Sequence, residues 1–431
     1  MNIKLRGIEL LDNYEDGKYS NIALDEYVKK NNLTSGEKAF LTEIFYGVIR
    51  NIIFIDYQID KRAKKIKKQW IRNLLRISIY QCTYMNSDAK GVVWEATELA
   101  KNKYGIAISK FINGLMRAYT REVGEELKSL ELEKKYNILY SYPKWFIEKI
   151  EKQYKDRSLD LLKSLKTIPY MSYRVNKLKY SEKEFEVLLE KNNCKLIKKV
   201  ESIYYIQGKS LIDSDEFKNG LITIQDASSY LASTLLNIKE NDLVLDACSA
   251  PGGKSLVMAE KMNNKGKIIA LDIYEHKIKL INDNASKMGI DIIEAKLCDA
   301  TKVSELNYEF DRILVDAPCS GFGVLRKKPE MVYNKSFANM EELSELQHLI
   351  LLECSKKLKI GGTLVYSTCT IFDEENKDNL NKFLEENKNF EVEDIKLPEN
   401  IEYIKDEFGG ITIIDPILDG FYIAKLKKVE N

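Results

Sequence analysis

Short apolar runs alternate with helical stretches through the last half of the chain, and this alternation constrains the fold more than any other feature. The apolar runs lie at residues 243–245, 268–271, 313–315 and 363–366. Strands that alternate with helices in this way form a mostly parallel sheet with helices on both faces. Ligands of such sheets bind beyond the carboxyl ends of the strands. We therefore predict a Rossmann-like α/β domain over residues 221–431, with its functional site at that edge.

The first 140 residues follow a helical period and contain no strand-like alternation. Thr34 and Glu37 form the pattern that is typical of a helix start. One predicted helix face repeats at the spacing of an α-helix, and it consists of Ile71, Leu74, Leu75, Ser78, Ile79 and Cys82. These patterns predict an all-helical bundle over residues 1–140.

Residues 141–220 have a mixed pattern. A Tyr-Pro-Lys-Trp sequence at 142–145 indicates a boundary followed by a new helix. Residues 171–175 and 202–206 are rich in β-branched and aromatic residues and predict strands, with a helix over 182–190 between them. We predict a small α+β domain of the RRM or ferredoxin-like type.

No apolar run approaches the ~18–20 residues that span a bilayer, and the N-terminus lacks an apolar signal core. We therefore expect a cytoplasmic protein without a membrane partner. The seven cysteines include no CxxC pair and the chain has only two histidines, which argues against a disulfide framework and against a zinc site.

The net charge of +1 conceals an uneven distribution. Residues 1–220 carry a net charge of +11, and residues 221–431 carry −10. Such asymmetry favours a polyanionic partner for the basic part. The stretch 61–72 holds seven basic residues and no acidic one. It is either a phosphate-contacting surface or a solvated lysine face, and the sequence leaves both open.

The first strand of the α/β domain runs into a glycine-containing loop and then a helix. The free amides of that helix favour an anionic group, and Gly252 and Gly253 allow close backbone approach. A P-loop requires a glycine where Cys248 stands, and a dinucleotide fingerprint requires spaced glycines, so neither pattern fits. A nucleoside ligand that carries a carboxylate remains, and S-adenosylmethionine is such a ligand.

Two further strands end in an acid. Asp272 follows the second strand and is placed to accept hydrogen bonds from ribose hydroxyls. Asp299 follows the third strand, where a carboxylate can meet an adenine amino group. Together with the acid at the first strand end, these residues strengthen the prediction of a nucleoside site.

The fourth and fifth strands end beside cysteines, Cys319 and Cys369. In a parallel sheet both thiols lie at the edge that holds the nucleoside site. A thiolate is a strong nucleophile when nearby positive charge lowers its pKa. The candidates for that charge are Lys254, Arg326, Lys327 and Lys328.

A thiolate beside a methyl donor suits one class of reaction in particular. Carbon 5 of a pyrimidine is not nucleophilic, but addition of a thiolate to carbon 6 makes it so. The ring must leave its stack to be reached, so the predicted substrate is single-stranded or extruded RNA.

Three motifs carry a resemblance to a known family. They read Asp246-Ala247-Cys248-Ser249-Ala250-Pro251-Gly252-Gly253-Lys254, Asp316-Ala317-Pro318-Cys319-Ser320-Gly321 and Tyr366-Ser367-Thr368-Cys369. Through them the chain resembles the RNA cytosine-5 methyltransferases of the Sun/Fmu type. Residues 40–50, 94–101 and 111–113 resemble the NusB-type helical RNA-binding domain that one branch of this family carries, and residues 141–220 are similar to the family's small RNA-binding domain.

The resemblance implies an activity and a role for each motif. It implies S-adenosylmethionine-dependent methylation of carbon 5 of a cytosine in 16S ribosomal RNA. Cys369 is then the nucleophile, Cys319 assists release of the covalent adduct, and Asp316 contacts the cytosine or the methyl donor. Residues 248–254 hold the methionine end of the cofactor, while the acids after the second and third strands hold the ribose and adenine. Separately from the resemblance, we expect a monomer.

The chain departs from the family pattern at a few positions, which are Trp94, Lys328, Tyr333 and Thr370. None of these is a predicted catalytic residue. Two other classes of protein stay open at this point. One is a non-catalytic RNA-binding or assembly factor with a decayed methyltransferase domain, and the other is an NTPase, which the missing P-loop glycine disfavours.

Overall fold

A computed structural model of the chain describes residues 2–14, 20–63, 65–334 and 337–430. Its contacts divide the chain into two units. The helical unit comprises Met1–Lys166 and Lys327–Asn334, and the sheet unit comprises Thr167–Arg326 and Lys335–Asn431. The boundaries predicted after residues 140 and 220 fall inside these units and stay predictions.

The helical unit confirms the all-helical prediction for the first part of the chain. Its first ten helices are α1 (Ile3–Tyr14), α2 (Ser20–Lys30), α3 (Ser35–Arg50), α4 (Ile52–Arg62), α5 (Gln69–Tyr84), α6 (Ala89–Tyr104), α7 (Ile106–Leu132), α8 (Tyr136–Leu139), α9 (Lys144–Tyr154) and α10 (Ser158–Lys166). Within the described ranges, no helix combines the length and the apolar character that crossing a membrane requires.

The predicted start of α3 is a capping box. Thr34 Oγ1 accepts a hydrogen bond from the backbone N–H of Glu37, and the Glu37 carboxylate accepts one from the backbone N–H of Thr34. These two bonds satisfy backbone donors that the helix itself leaves unpaired. Helix α5 buries the predicted apolar face, and Leu74 and Ile79 lie at its centre with no exposed surface.

The remaining helices follow the predicted pattern along the chain. They are α11 (Glu182–Lys191), α12 (Asp215–Lys218), α13 (Ala227–Thr234), α14 (Gly253–Lys261), α15 (Glu275–Met288), α16 (Met331–Asn334), α17 (Phe337–Ser355) and α18 (Lys377–Glu386). All of them belong to the sheet unit except α16, which belongs to the helical unit.

The sheet unit contains two sheets. The strands are β1 (Met171–Val175), β2 (Lys195–Val200), β3 (Ile203–Gln207), β4 (Ile222–Ile224), β5 (Leu243–Asp246), β6 (Lys267–Asp272), β7 (Ile293–Leu297), β8 (Phe310–Asp316), β9 (Leu358–Thr368), β10 (Phe390–Val392), β11 (Tyr403–Lys405), β12 (Ile411–Ile413) and β13 (Phe421–Lys428). The small sheet is antiparallel in the order β2-β3-β1-β4. The large sheet has the order β11-β12-β13-β9-β8-β5-β6-β7, with β10 paired to β13.

The large sheet confirms the predicted parallel core. Strands β5 to β9 pair in parallel, and the buried apolar residues of β5, β6, β8 and β9 form the centre of the unit. Strand β13 adds to β9 in the antiparallel direction. The sequence did not reveal β10, β11 and β12, because three residues are too few for a pleated period to register. Since β5 to β9 run in one direction, their carboxyl ends share one edge.

Two residues of the small domain that match the family are buried structural residues. The Arg174 side chain has no exposed surface, pairs with Glu260 and donates from Nε to Gln225 Oε1 at 2.6 Å. Asn176 Nδ2 donates to the carbonyl oxygens of Gly220 and Met288 at 2.9 and 3.0 Å. These bonds join the small sheet to the elements that surround the large one.

Candidate active site

The loop 247–252 connects β5 to the N-terminus of α14 and lies at the carboxyl edge of the sheet. Ser249 binds the Leu271 carbonyl oxygen twice, from its backbone N–H at 2.8 Å and from Oγ at 3.0 Å. Gly252, at the start of the helix, adopts a left-handed conformation with φ 99°. A residue with a side chain would disfavour this conformation. The loop therefore presents the free amides of α14 toward a ligand.

Asp246, the last residue of β5, is an acid that the sequence analysis left without an individual role. Its side chain has no exposed surface, and Oδ2 accepts a hydrogen bond from Ser255 Oγ at 2.5 Å. Oδ1 has no partner in the described part of the chain. Burial raises the pKa of Asp246 to about 7. An unpartnered buried carboxylate oxygen at this edge can accept a hydrogen bond from a cationic or polar group of a ligand.

Asp272 and Asp299 follow the neighbouring strands β6 and β7. Asp272 is almost fully buried, accepts from the backbone N–H of Tyr274 at 3.1 Å and has Lys277 Nζ at 3.4 Å. Asp299 is exposed and accepts from the backbone and side chain of Thr301 at 2.9 and 2.8 Å, which lowers its pKa. Both acids lie where the sequence placed them, and their contacts with ribose and adenine stay predictions.

These residues fit S-adenosylmethionine better than a phosphate ligand. The unpartnered oxygen of Asp246 suits the ammonium of an amino acid, and the amides of α14 suit its carboxylate. Asp272 would accept from hydroxyl groups of a ribose. Phosphate groups would meet two buried carboxylates here, so the site disfavours the NTPase alternative.

Cys319 and Cys369 come together at the same edge, after β8 and β9. Their Sγ atoms lie 3.1 Å apart, and the backbone N–H of Cys369 donates to Cys319 Sγ at 3.2 Å. Both side chains are partly exposed, and neither is in a disulfide. The contact with Cys369, burial and the carboxylates of Glu375 and Asp316 all raise the pKa of Cys319. Cys319 therefore stays a protonated thiol at neutral pH.

Lys254 places a positive charge beside this pair. Its Nζ lies 2.6 Å from Asp316 Oδ2, and Ser367 Oγ donates to Asp316 Oδ1 at 2.9 Å. Burial lowers the pKa of Lys254, but the combined attraction of Asp316, Asp246 and Cys369 outweighs this effect and the pKa is raised overall. Cys369 lies within the field of the same ammonium. Lys254 is therefore charged and favours the thiolate form of its neighbour.

The other predicted sources of positive charge are Arg326, Lys327 and Lys328. The Arg326 side chain is buried, and its guanidinium donates to the carbonyl oxygens of Asp415, Pro416 and Leu418. Arg326 therefore stabilises the loop before β13, and its role as a charge that favours a thiolate stays a prediction. Residues 327–334 belong to the helical unit.

A buried carboxylate that the sequence analysis missed holds the Cys319 loop. Glu375 has no exposed surface, and its carboxylate accepts from both the backbone N–H and Oγ of Ser320. Gln347 Nε2 donates to Glu375 Oε1 at 2.9 Å and to the Pro318 carbonyl at 2.8 Å. The acidic run 373–375 just after the Cys369 motif was the available signal, but acids in a run are usually solvated.

The Cys369 loop is fixed by a close backbone contact. Gly323 donates from N–H to the Cys369 carbonyl at 3.0 Å, and Gly420 donates to the Gly323 carbonyl at 2.9 Å. A Cβ on Gly323 would lie 1.9 Å from the Gly420 carbonyl oxygen. Only glycine at position 323 therefore permits this approach of the two loops.

The basic stretch 61–72 divides into two parts. Lys61, Arg62 and Arg72 form ion pairs with acids of the helical unit. Lys64 lies outside the described residues. Lys65, Lys67 and Lys68 line a cavity together with Phe111. The first three residues are thus structural, and the lysines of the second part keep the prediction of phosphate contact.

The fold and the site define a methyltransferase that uses S-adenosylmethionine. Family models match the three parts of the chain in order. The NusB family matches residues 1–121, a ferredoxin-like domain of RsmF/B-like methyltransferases matches 142–203, and the 16S rRNA methyltransferase RsmB/F model matches 233–427.

Curated proteins match the chain over nearly its whole length. A probable ribosomal RNA small subunit methyltransferase B of Bacillus subtilis is 36% identical over 95% of both chains. The ribosomal RNA small subunit methyltransferase B of Shewanella oneidensis is 31% identical over 100% of both. The chain belongs to the RsmB/F family of 16S rRNA methyltransferases, in agreement with the resemblance, and S-adenosylmethionine is its cofactor.

Solved structures agree with this assignment. The crystal structure of the protein PH0851 has a TM-score of 0.80 and 30% identity over 99% of both chains. A methyltransferase homologue from Pyrococcus horikoshii has a TM-score of 0.59 and 29% identity, and the match covers 67% of this chain and 96% of that one.

Proposed function

We propose that the protein transfers a methyl group from S-adenosylmethionine to carbon 5 of a cytosine in 16S ribosomal RNA, through a covalent bond between Cys369 and carbon 6. The observation that carries this proposal is the pair of thiols 3.1 Å apart, beside the charged Lys254. The names of the full-length relatives support the RNA substrate.

Cys369 begins the reaction as the nucleophile. Its thiolate forms a bond from Sγ to carbon 6 of the cytosine, and the ring electrons move toward carbon 5. S-adenosylmethionine, when bound, supplies an electrophilic methyl group on a sulfonium. Lys254 favours the thiolate at the start, because its ammonium lies within range of Cys369 and is held in place by Asp316.

Cys319 assists the release of the methylated base. Its raised pKa keeps the proton on Sγ, next to the sulfur that must leave. Cys319 passes this proton to Cys369 Sγ as the C6–S bond breaks and receives the carbon 5 proton in its place. The electron pair of the carbon 5 C–H bond then restores the ring double bond, and both thiols end protonated. Cys369 returns to the thiolate by releasing one proton to solvent.

Access to the site requires an unstacked cytosine, since a stacked base hides carbon 6 from a side chain. We place the activity in the cytoplasm and in a monomer, acting on ribosomal RNA. The same proposal includes the cofactor contacts: Asp272 and Asp299 bind the ribose and adenine, and residues 248–254 bind the methionine end. It also includes a contact of Asp316 with the cytosine or the methyl donor.

Bisulfite sequencing of ribosomal RNA tests the proposal. RNA from cells that have the gene should contain a protected cytosine in 16S rRNA, and RNA from cells without it should not. Complementation with Cys369→Ala should leave the cytosine unprotected. If protection persists without the gene, the proposed substrate is wrong. If the chain binds no S-adenosylmethionine in calorimetry, a non-catalytic assembly factor is favoured instead.

A further inference from the structure

One large aromatic side chain of the helical unit is exposed without a structural reason. Trp94 lies on α6 with 69% of its surface accessible, whereas the neighbouring Val93 and Ala96 are buried in the core. By comparison, Trp70 of the same unit is only 9% exposed. Trp94 is thus turned away from the apolar face of its own helix, where its packing would have stabilised the fold.

The indole borders a cavity of about 440 Å³ between α6 and α7. Lys90 and Arg117 line the same cavity, and no acidic residue does. Neither cation has an ion-pair partner in the described part of the chain, and both are exposed. Asn113 adds an amide group, which can donate and accept hydrogen bonds. The cavity therefore combines a flat aromatic surface, positive charge and one versatile polar group.

We propose that this cavity binds one nucleotide of single-stranded RNA, with its base stacked on Trp94. Proteins that bind single strands use aromatic platforms of this kind beside positive charge. Arg117 and Lys90 neutralise the phosphates on either side of the stacked base, and Asn113 bonds the edge of the base. The volume suits a small ligand such as a nucleoside.

A second group of lysines lies beside α7. These charges favour RNA over an acidic protein segment as the ligand of this surface. Lys65, Lys67 and Lys68 line a second cavity with Phe111, which is 40% exposed. An aromatic ring beside positive charge thus occurs at two cavities that α7 helps to line. A single strand of RNA offers bases to such rings and phosphates to such charges. The inference rests on the proposed function only in taking RNA as the substrate.

The test uses binding alone, so that it does not depend on methyl transfer. The probe is a labelled single strand of about 12 nucleotides of adenine, guanine and uracil, added to the full-length protein without S-adenosylmethionine. Because the probe has no cytosine, failure of the proposed methylation leaves this result unchanged. Binding is followed by anisotropy of the label and by tryptophan fluorescence.

Stacking on Trp94 predicts that the probe quenches the tryptophan fluorescence and that Trp94→Phe loses this quenching. Trp94→Ala should weaken binding by about 5-fold to 150-fold at every salt concentration, and Trp94→Phe should weaken it less. Arg117→Gln should instead lower the salt dependence by about 0.7 in the logarithmic slope. The matched control is Ile106→Ala, which removes a side chain of similar exposure, 64%, from the start of α7.

An abasic strand of the same length separates stacking from attraction to phosphate. We expect it to bind the wild type as weakly as the full probe binds Trp94→Ala. Equal binding of the probe by Trp94→Ala and the wild type, with both folded by circular dichroism, would overturn the proposal. Absence of any binding by the wild type would overturn it too, and an acidic protein segment would then be the better occupant.

Discussion

The backbone N–H of Ser320 donates a hydrogen bond of 2.8 Å to the buried carboxylate of Glu375. Because Ser320 directly follows Cys319, this bond fixes the thiol and places a negative charge near it. The carboxylate is one cause of the raised pKa of Cys319, after the contact with Cys369 and burial. Glu375 is thus a positioning residue that also sets the protonation of its neighbour.

Glu375→Gln should lower the pKa of Cys319, because it removes the charge and keeps an acceptor for Ser320. The measurement is the pH dependence of alkylation at Cys319, in a Cys369→Ala background so that one active-site thiol reacts. Glu374→Gln is the control, since it changes the charge of an adjacent acid that does not bind Ser320. An unchanged pH midpoint in Glu375→Gln would contradict this role.

Lys254→Met should reduce the methylation rate by about 100-fold, the loss expected when one preorganised charge at a reacting group is removed. The physical reason is the lost positive charge beside Cys369 and Asp316. Single-turnover methylation of 16S rRNA measures the effect. Lys261→Met, at the far end of the same helix and paired with Glu201 at 3.6 Å, is the matched control and should retain normal rates.

Asp246→Asn should weaken S-adenosylmethionine binding by about 10-fold to 100-fold, because the variant loses a charge-assisted hydrogen bond to an ammonium. The pKa of Asp246 is raised to about 7. Wild-type affinity should therefore fall as the pH drops below about 7, and the affinity of the variant should not. Calorimetry between about pH 6 and 8 measures both.

Asp246 also makes the stability of the cofactor-free protein depend on pH. This dependence has the opposite direction to that of the cofactor affinity, because the protonated acid stabilises the fold. An acid whose pKa is raised by folding stabilises the folded state at low pH, and this contribution is lost as the pH rises through the folded-state pKa. The melting temperature of the cofactor-free wild type should thus fall as the pH rises from about 4 to about 7. A curve for Asp246→Asn that falls equally would show that another group titrates.

Gly323→Ala should destabilise the sheet unit by about 1–3 kcal/mol, because a Cβ would overlap the Gly420 carbonyl oxygen. The same shift would displace Cys369, whose carbonyl binds Gly323, so activity should fall as well. Thermal unfolding and methylation assays measure the two effects. Gly114→Ala, in open space on helix α7, should be neutral or stabilising in unfolding. Equal stability of both variants would mean that the backbone contact is not needed.

The parts of the fold that the sequence predicts well are those with a long, regular period. Strands β5, β6, β8 and β9 and helix α5 can be recognised in the sequence because their apolar residues are buried in a repeating pattern. The antiparallel strands β10 to β12 are too short to be recognised in this way. The sequence pattern also does not predict strand β2. The reason is different, because a register shift between Leu196 and Lys198 breaks the alternation of its side chains.

The residues of the candidate site also differ in whether the sequence could predict them. Residues at or just beyond the carboxyl end of a strand, such as Asp272, Cys319 and Cys369, are placed by the topology and could be predicted. Glu375 is brought to Ser320 only by tertiary packing, and no local pattern distinguishes it from a solvated acid. Arg326 shows the converse, because its charge in the sequence does not reveal that its side chain is buried and donates to backbone carbonyls.

The covalent mechanism is tested most directly by trapping the adduct between enzyme and RNA. Cys319→Ala is incubated with 16S rRNA and S-adenosylmethionine, and the product is analysed on a denaturing gel, with Cys369→Ala and the double variant alongside. The proposed roles predict a stable RNA–protein band for Cys319→Ala and none for the two variants that lack Cys369. A band that persists without Cys369, or normal methylation by Cys369→Ala, would contradict the assignment of the nucleophile.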